Sequence, residues 1–201
     1  MKHDRNISRE DNRTEVTIGA VTYDPSYILE LVDRAADGDF ETFGELYGIY
    51  LDPIYRYVFY QVNDKMTAED ITEDVFLKAW KAIASCRGRG QTFSSWLYRI
   101  AHNQVIDSFR SKRRHSSVEM EMADVTSDSD STAEIEFEKQ DLLSAMTDLP
   151  PNQRQVIILK FIEGLDNSEI ANVIGKSQGA VRVLQMRALA TIRQNLSEEQ
   201  R

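Results

Sequence analysis

The sequence predicts an all-α protein made of two small helical domains. Through most of residues 25–114 and 137–196, apolar side chains recur at spacings of three and four residues, which is the period of an amphipathic helix. Residues 115–136 are instead rich in Ser, Asp, Glu and Thr and carry too little apolar surface to fold alone. We therefore expect the two helical domains to be joined by a flexible acidic linker.

The composition is that of an ordinary folded protein. Of the 201 residues, 41% are hydrophobic and 28% are charged, which is sufficient for a packed core. No run approaches the roughly 18 to 20 apolar residues of a membrane span, and the polar N-terminus lacks the apolar segment of a signal peptide. A cytoplasmic protein without membrane insertion is expected. Cys86 is the one cysteine and the histidines are scattered, so the sequence predicts no disulfide, metal site or cofactor.

The first domain is predicted to begin after a disordered tail at residues 1–24. Asp24-Pro25-Ser26 favours a helix start, and Asp37-Gly38-Asp39 favours a break. The next helical pattern runs from Phe40 to Val62, where Pro53 predicts a kink or a restart. Its many aromatic side chains stand at helical spacing and are interpreted as core.

Thr67 is predicted to cap the third helix, one face of which is acidic. Acidic residues in a first turn suit the helix dipole, which by itself would account for Glu69 and Asp70. Glu73 and Asp74 continue the acidity beyond that turn. The face is therefore either solvated or an anionic docking surface.

Residues 85–92, SCRGRGQT, predict a glycine-rich loop that carries Arg87 and Arg89. Helical periodicity returns at residues 93–114 and includes Trp96. Aromatic rings beside guanidinium groups suit single-stranded nucleic acid, because bases stack on the rings while the cations contact phosphates. The alternative keeps Trp96 in the core and leaves the basic end of the helix in solvent.

The second domain is predicted to begin near Phe137. Leu149-Pro150-Pro151 separates its first two helices, and Gly164 ends the second of them, whose apolar face includes Phe161. The stretch 166–193 then predicts two helices joined by a tight turn at Gly175, a residue that favours the left-handed cap.

The last helix carries a basic face. Ser177 is its expected N-cap, and Arg182 and Arg187 fall off the apolar stripe. The residues of that stripe are Val181, Leu184, Ala188 and Ile192. A short helix, a turn and a longer basic helix form the helix-turn-helix arrangement, whose second helix enters a DNA major groove. The alternative is a plain helical hairpin with solvated arginines.

The net charge of −9 hides a strong segregation of charge. Residues 25–80 carry 12 acidic and 4 basic side chains, residues 81–114 carry 8 basic and 1 acidic, and residues 116–141 carry 9 acidic and 1 basic. Such segregation predicts different partners for different segments. The basic block is the expected nucleic-acid footprint.

Four stretches, in order, carry a family resemblance. They are AEDITEDVFLKAW (residues 68–80), FSSWLYRIAHNQVID (93–107), LPPNQRQVIILKFIEGL (149–165) and EIANVIGKSQGAVR (169–182). Together they resemble the sigma-70 family of bacterial transcription initiation factors, and within it the extracytoplasmic-function (ECF) group. The resemblance implies a sigma region 2-like helical bundle at residues 25–114 and a sigma region 4-like helix-turn-helix domain at residues 137–196.

The resemblance also implies a function, partners and site residues. The expected protein is not an enzyme: it binds the β′ and β subunits of core RNA polymerase, directs the polymerase to −35/−10 promoters and assists melting. An anti-sigma factor is a further partner that many family members have. The implied polymerase-binding residues are Asp70, Glu73, Asp74, Phe76 and Leu77. The implied contacts with single-stranded −10 DNA are Arg87, Arg89, Gln91, Phe93, Trp96, Arg99, Asn103, Arg110 and Arg113. The implied contacts with the −35 duplex are Ser177, Gln178, Gly179, Arg182, Met186 and Arg187.

The recognition helix departs from the family where Val183 and Met186 place apolar groups at frequent contact positions, so the −35 sequence does not transfer from relatives. The alternative function is a stand-alone helix-turn-helix regulator that binds duplex DNA without polymerase. The acidic bulk outside the basic block argues against it, because phosphate neutralisation dominates such affinity. An enzyme is disfavoured because the sequence shows no nucleophile with its base, metal cluster or phosphate-binding loop.

Overall fold

The computed structural model describes residues 16–18, 21–116, 146 and 149–199. Helices dominate these residues, which confirms the predicted fold class. The two strands are β1 (Val16–Ile18) and β2 (Val21–Tyr23), and the helices are α1 (Pro25–Ala36), α2 (Phe40–Val62), α3 (Lys65–Ala82), α4 (Gly90–Ser116), α5 (Pro151–Ile157), α6 (Asn167–Ile174) and α7 (Gln178–Glu199).

The strands form an antiparallel hairpin inside the segment predicted to be a disordered tail. Val16 pairs with Tyr23, and Ile18 pairs with Val21. Ile18 is buried, because β1 packs beside α2. Each strand of the hairpin is three residues long, which is too short for a pattern of helical spacing to mark it in the sequence. Residues 1–15 of the predicted tail lie outside the described residues.

Aspartate side chains cap the first three helices. Asp24 accepts a hydrogen bond from the backbone N–H of Ser26 at 2.8 Å, as predicted for the start of α1. Asp39 caps α2 through the N–H of Thr42 at 3.1 Å. The cap predicted for α3 is wrong: Asp64 accepts from the N–H of Thr67 at 2.8 Å, so the helix begins earlier. A carboxylate at the N-cap satisfies an unpaired N–H and also suits the helix dipole.

Helix α2 runs through Pro53 without a restart. The proline ring is buried in the core, and the packing gained there offsets the backbone hydrogen bond that proline cannot donate. The predicted core assignment of the α2 aromatics holds for Tyr50 and Tyr57, which are 1% and 0% exposed. It does not hold for Phe40, which is 69% exposed.

The loop before α4 is shorter than the sequence indicated. Residues Ile83–Cys86 form a 3-10 turn, and α4 already begins at Gly90. A side chain at Gly90 would be impossible without rearrangement, because its Cβ would lie 2.4 Å from the Cα of Leu29 in α1. The close approach of α1 and α4 therefore requires glycine here, and it places Gln91 and Thr92 in the first turn of α4.

The second helical unit begins its described part with buried Met146 and Leu149, followed by α5 at Pro151 as predicted. The next turn widens into a π-helix, Ile158–Ile162, instead of continuing as α-helix. Its apolar face is shifted as a result, and Phe161, which was predicted to be buried, is 60% exposed. Gly164 then ends the segment, as predicted, and its φ of 73° lies in the left-handed region.

The two helical units pack directly on each other. Helix α6 lies against α4, and α5 approaches α2. Residues 115 and 116 of the predicted acidic linker are described, and the rest of the linker lies outside the described residues. The sites below are therefore arranged on one packed body of helices.

Candidate functional sites

An acidic face is exposed on α3. We use this name for Asp70, Glu73, Asp74 and Leu77, all of which are exposed, Leu77 by 56%. Asp74 accepts a hydrogen bond from Gln104 of α4 at 3.4 Å, and Gln104 in turn accepts one from Lys78. The carboxylates of the face are thus presented to solvent on a helix that α4 holds in place.

Phe76 does not belong to this face. The sequence resemblance implied that Phe76 contacts the polymerase, but its side chain is 6% exposed and packs edge-on against Tyr47 at 4.7 Å between ring centroids. A buried ring has no surface left for a partner, so Phe76 supports the face from below.

Two exposed aromatic residues beside the acidic face were missed. Phe40 packs edge-on against Trp80 at 5.4 Å, and Tyr47, which contacts Phe76, is 39% exposed. Both were assigned to the core because they share the helical spacing of α2. Their exposure adds apolar surface next to the carboxylates. At about 100° per residue, Phe40 and Tyr47 lie to one side of the line through Phe43, Tyr50 and Tyr57, and this difference in phase is the sequence signal that separates them.

A polar surface runs along α4. Arg99, Asn103 and Arg110 are exposed, and Arg110 lies 3.8 Å from Asp107 one turn earlier. Trp96 is half-buried, so part of its ring faces outward. We call Trp96, Arg99, Asn103 and Arg110 the α4 surface. The side chains of Gln91 and Arg113, which were also predicted here, lie outside the described residues.

The other residues predicted for this surface are placed differently. Phe93 is 1% exposed and packs against Tyr50 at 5.3 Å, so it cannot stack on a base without leaving the core. Arg87 is exposed but forms an ion pair with Asp37, at the end of α1. Arg89 is exposed on the turn before α4. Of the predicted aromatic pair, only Trp96 remains available.

A neighbouring side of α4 is covered by the second helical unit. Glu163, which follows the π-helix, has a fully buried side chain, and Arg56 of α2 donates two hydrogen bonds to its carboxylate at 2.9 Å each. The Tyr98 hydroxyl donates a third at 2.8 Å. Burial, together with the adjacent Glu163 charge, holds the pKa of Tyr98 well above its usual value. A buried carboxylate with three donors is well compensated for its desolvation.

A glutamine continues this contact. Gln155 of α5 donates to the Tyr57 hydroxyl at 3.0 Å, and the same amide nitrogen lies against Nδ1 of His102. Burial lowers the pKa of His102. The structure thus places His102 of α4 between the two units. We call these residues the interdomain polar cluster: Arg56, Tyr57, Tyr98, His102, Gln155 and Glu163.

The helix-turn-helix is built as predicted. Asp166 and Glu169 form a reciprocal capping box at the start of α6, with hydrogen bonds of 2.8 and 2.7 Å. Gly175 ends α6 at φ 65°. Ser177 Oγ then accepts from the N–H of Ala180 at 3.2 Å, which makes it the cap of α7.

Helix α7 buries one stripe and exposes its arginines. Val181 and Ala188 are fully buried, whereas Leu184 and Ile192 are partly buried. The predicted −35 contacts are all exposed: Ser177, Gln178, Gly179, Arg182, Met186 and Arg187. Gln185, by contrast, is turned back and donates to Asn167 of α6 at 2.9 Å. The basic face is therefore ordered by the turn geometry and remains open.

Two further features bear on the kind of site. No cluster of three or more His, Cys, Asp or Glu side chains that could hold a metal ion occurs among the residues described by the structure. Within the same residues, no helix is both long enough and apolar enough to cross a membrane.

Comparison with known proteins matches both units to one family. The family described as sigma-70 region 2 matches residues 46–115, and the family described as sigma-70, region 4 matches residues 139–192. The ECF RNA polymerase sigma factor BldN of Streptomyces coelicolor is 39% identical over 187 residues, which cover 90% of this chain and 70% of BldN.

Solved structures agree with these matches. CnrH in complex with the cytosolic domain of CnrY is 26% identical, with a TM-score of 0.63 over 85% of this chain and 97% of that one. The sigma factor RpoE of Bartonella quintana, in complex with the anti-sigma factor NepR, shares the fold with a TM-score of 0.63 at 22% identity, over 77% of this chain and 96% of that one. The chain therefore belongs to the ECF group of the sigma-70 family, the transcription initiation factors that bind core RNA polymerase and direct it to promoters.

Proposed function

We propose that this sigma factor works through three separate surfaces. The acidic face of α3 binds core RNA polymerase, the α4 surface holds unpaired bases of the −10 element, and the exposed arginines of α7 hold the −35 duplex. In this proposal residues 25–114 and 137–196 form the two functional domains, and residues 115–136 form the acidic linker between them. The proposal thus assigns one partner to each of the surfaces described above.

The observation that carries the proposal is the separation of exposed charge. Asp70, Glu73 and Asp74 are exposed on α3, whereas Arg99 and Arg182 are exposed on α4 and α7. Carboxylates repel phosphates and attract a cationic protein surface, whereas guanidinium groups do the reverse. The polymerase and the promoter can therefore bind at the same time without competing for one surface.

The −10 role falls on Trp96 rather than on Phe93. A half-buried indole can stack a base on its open face while the rest of the ring stays anchored in the core. Stacking of this kind is worth about 1 to 3 kcal/mol per base. Arg99 and Asn103, one turn and two turns further along α4, are exposed and can contact the backbone or the base edge.

We also infer that an anti-sigma factor controls this protein. The solved CnrH structure contains the cytosolic domain of CnrY, and the solved RpoE structure contains the anti-sigma factor NepR. Exposed apolar residues beside the acidic face, Phe40 and Tyr47, offer surface that such an inhibitor could cover. Activity on polymerase and promoter DNA implies a cytoplasmic location at the bacterial nucleoid.

The test is reconstitution with purified core polymerase. A variant in which Asp70, Glu73 and Asp74 are replaced by Ala should lose at least about tenfold in polymerase affinity, because interfacial charges set both steering and binding. The matched control replaces three exposed acids elsewhere, Glu30, Glu41 and Asp52, and removes the same net charge.

Affinity is measured by co-elution and by competition with the wild-type protein, and run-off transcription from a pooled promoter library provides the second readout. The control variant should bind and initiate like the wild type. Equal loss in both variants would show that only net charge matters, and an unchanged affinity of the α3 variant would contradict the role of the acidic face.

A further inference from the structure

The solvent side of α7 is apolar along its middle and basic at its edges. At about 100° per residue, four residues fall close to one line along the helix: Gly179, Val183, Met186 and Ala190. Arg182 and Arg187 fall on opposite sides of this line, and both are exposed. Val183 is 42% exposed and Met186 is 66% exposed. We call the four residues the apolar strip.

The strip is not a continuation of the core. The buried stripe of α7, with Val181 and Ala188, lies on the other side of the helix, where it packs against the remaining helices of the second unit. Exposing Val183 and Met186 in water gains nothing for the fold, so their surface is available to a ligand. The guanidinium groups on both sides show which kind of ligand suits them, because they favour a polyanion.

A DNA major groove fits this arrangement. Arginines on both edges of a helix can contact the phosphates of the two strands, which fixes the helix in the groove but reads no sequence. The middle of the helix then faces the base edges. Valine offers no hydrogen-bonding group and methionine only a weak acceptor, so they cannot pair with the donors and acceptors of guanine, cytosine or adenine.

Thymine is the base whose major-groove edge carries an apolar group, its 5-methyl. Placing Val183 or Met186 against any other base would desolvate polar edge atoms without giving them a partner, which is unfavourable. We propose that Val183 and Met186 select thymines in the −35 element by contact with their methyl groups, between phosphate contacts made by Arg182 and Arg187. This inference rests on the proposed role of α7 in −35 binding.

The test removes the methyl groups one at a time. Holoenzyme reconstituted from the full chain first selects its −35 element from a randomised promoter library. Each thymine of the selected element, on either strand, is then replaced by deoxyuridine, which lacks only the methyl. At one or two positions the wild-type holoenzyme should lose about fourfold in affinity, which corresponds to the burial of about one methyl group.

Protein variants connect each methyl group to its side chain. In Val183→Ser and Met186→Gln, the ratio of affinities for thymine and deoxyuridine should fall to about one at the position that each residue reads. Both residues are exposed, so neither substitution removes a core contact. The matched control is Met66→Gln, the same substitution at a methionine that is 74% exposed on α3, and it should leave every ratio unchanged.

Failure of the inference is distinguishable from failure of the proposed function. If scrambling the −35 element weakens binding but deoxyuridine has no effect at any position, α7 reads the element by other contacts and methyl reading is wrong. Methyl reading is also wrong if the thymine-to-deoxyuridine affinity ratio stays at its wild-type value in both the Val183 and the Met186 variants. If scrambling the whole element leaves binding unchanged, the assignment of α7 to −35 DNA fails, and the inference fails with it.

Discussion

Helix α4 has two polar sides that the fold treats in opposite ways. Tyr98 and His102 belong to the interdomain polar cluster and contact the second helical unit, whereas Arg99 and Asn103 face solvent. The covered groups have partners within the protein, and burial leaves them little capacity for a ligand. The exposed groups keep that capacity. Adjacent residues of one helix therefore have different roles: the buried ones hold the two units together, and the exposed ones are available to a ligand.

The covered side also implies a rearrangement on the promoter. The −35 and −10 elements are named for positions about 25 base pairs apart, which is about 85 Å of duplex. A compact fold of about 200 residues is only about 40 Å across. The two helical units cannot contact both elements while α6 stays packed on α4, so we expect the interdomain polar cluster to open when the factor binds a promoter.

The largest effect on stability is expected from substituting the buried aromatic residue of α4, compared with its half-exposed neighbour. Phe93→Ala should cost about 3 to 5 kcal/mol of unfolding free energy, because it leaves a cavity beside Tyr50 in the core. Trp96→Ala should cost less than half as much, since part of that ring is already exposed. Urea unfolding followed by circular dichroism measures both.

Transcription assays on two templates test the different roles of these two rings. Trp96→Ala should lower initiation on a duplex promoter more than on a template with a preformed bubble, because the indole is proposed to capture bases as they unpair. Phe93→Ala should show no such difference between templates at a temperature where it is folded. Stability losses of equal size in the two variants would contradict the assignment of one ring to the core and the other to the surface.

A smaller effect is expected from breaking the interdomain contact. Glu163→Ala leaves the Arg56 guanidinium and the Tyr98 hydroxyl without their shared acceptor, at a cost of about 3 kcal/mol to the closed arrangement. The two units should then separate more readily. Small-angle X-ray scattering measures this as an increase in the radius of gyration of the free protein.

Glu163→Gln is the matched control, because the amide oxygen still accepts from Tyr98 but no longer carries the charge that faces Arg56. It should give an intermediate radius. If Glu163→Ala leaves both the radius and the unfolding free energy unchanged, the cluster does not hold the units together.

The smallest effect is expected from pH, which should change the stability of the closed arrangement through His102 of the interdomain polar cluster. Burial lowers the pKa of His102, so its neutral form is favoured in the closed arrangement. The free chain takes up a proton as the pH falls below the usual histidine value near 6.5, whereas the closed form resists protonation. Closure should therefore be most stable above that pH and weaken as the pH falls below it. Scattering at a series of pH values follows the change.

His102→Gln removes the titrating group and keeps a side chain able to hydrogen-bond Gln155. In this variant the radius of gyration should no longer change with pH across the same window. A wild-type radius that stays constant between pH 8 and pH 5.5 would show that protonation of His102 does not oppose closure.

Local signals predicted most helix boundaries, and they failed where two signals competed. Asp24 and Gly164 were assigned correctly because each acts on its own neighbours. The cap predicted at Thr67 is wrong because Asp64, three residues earlier, offers a stronger acceptor to the same stretch of backbone. Phe161 was placed in the core on α-helical spacing, and the π-helix before it shifted the face.

The sequence by itself determined the all-α class, the helix-turn-helix with its caps at Gly175 and Ser177, and the segregation of acidic and basic segments. Each of these depends on spacing and on side-chain chemistry within a few turns. Tertiary structure alone decided which polar residues hold the two helical units together. Arg56 and Glu163 meet across 107 residues of sequence, and no local pattern marks either as a partner of the other. Tertiary packing likewise buried Phe93, whose ring packs against Tyr50 of α2, and left Trp96 partly exposed.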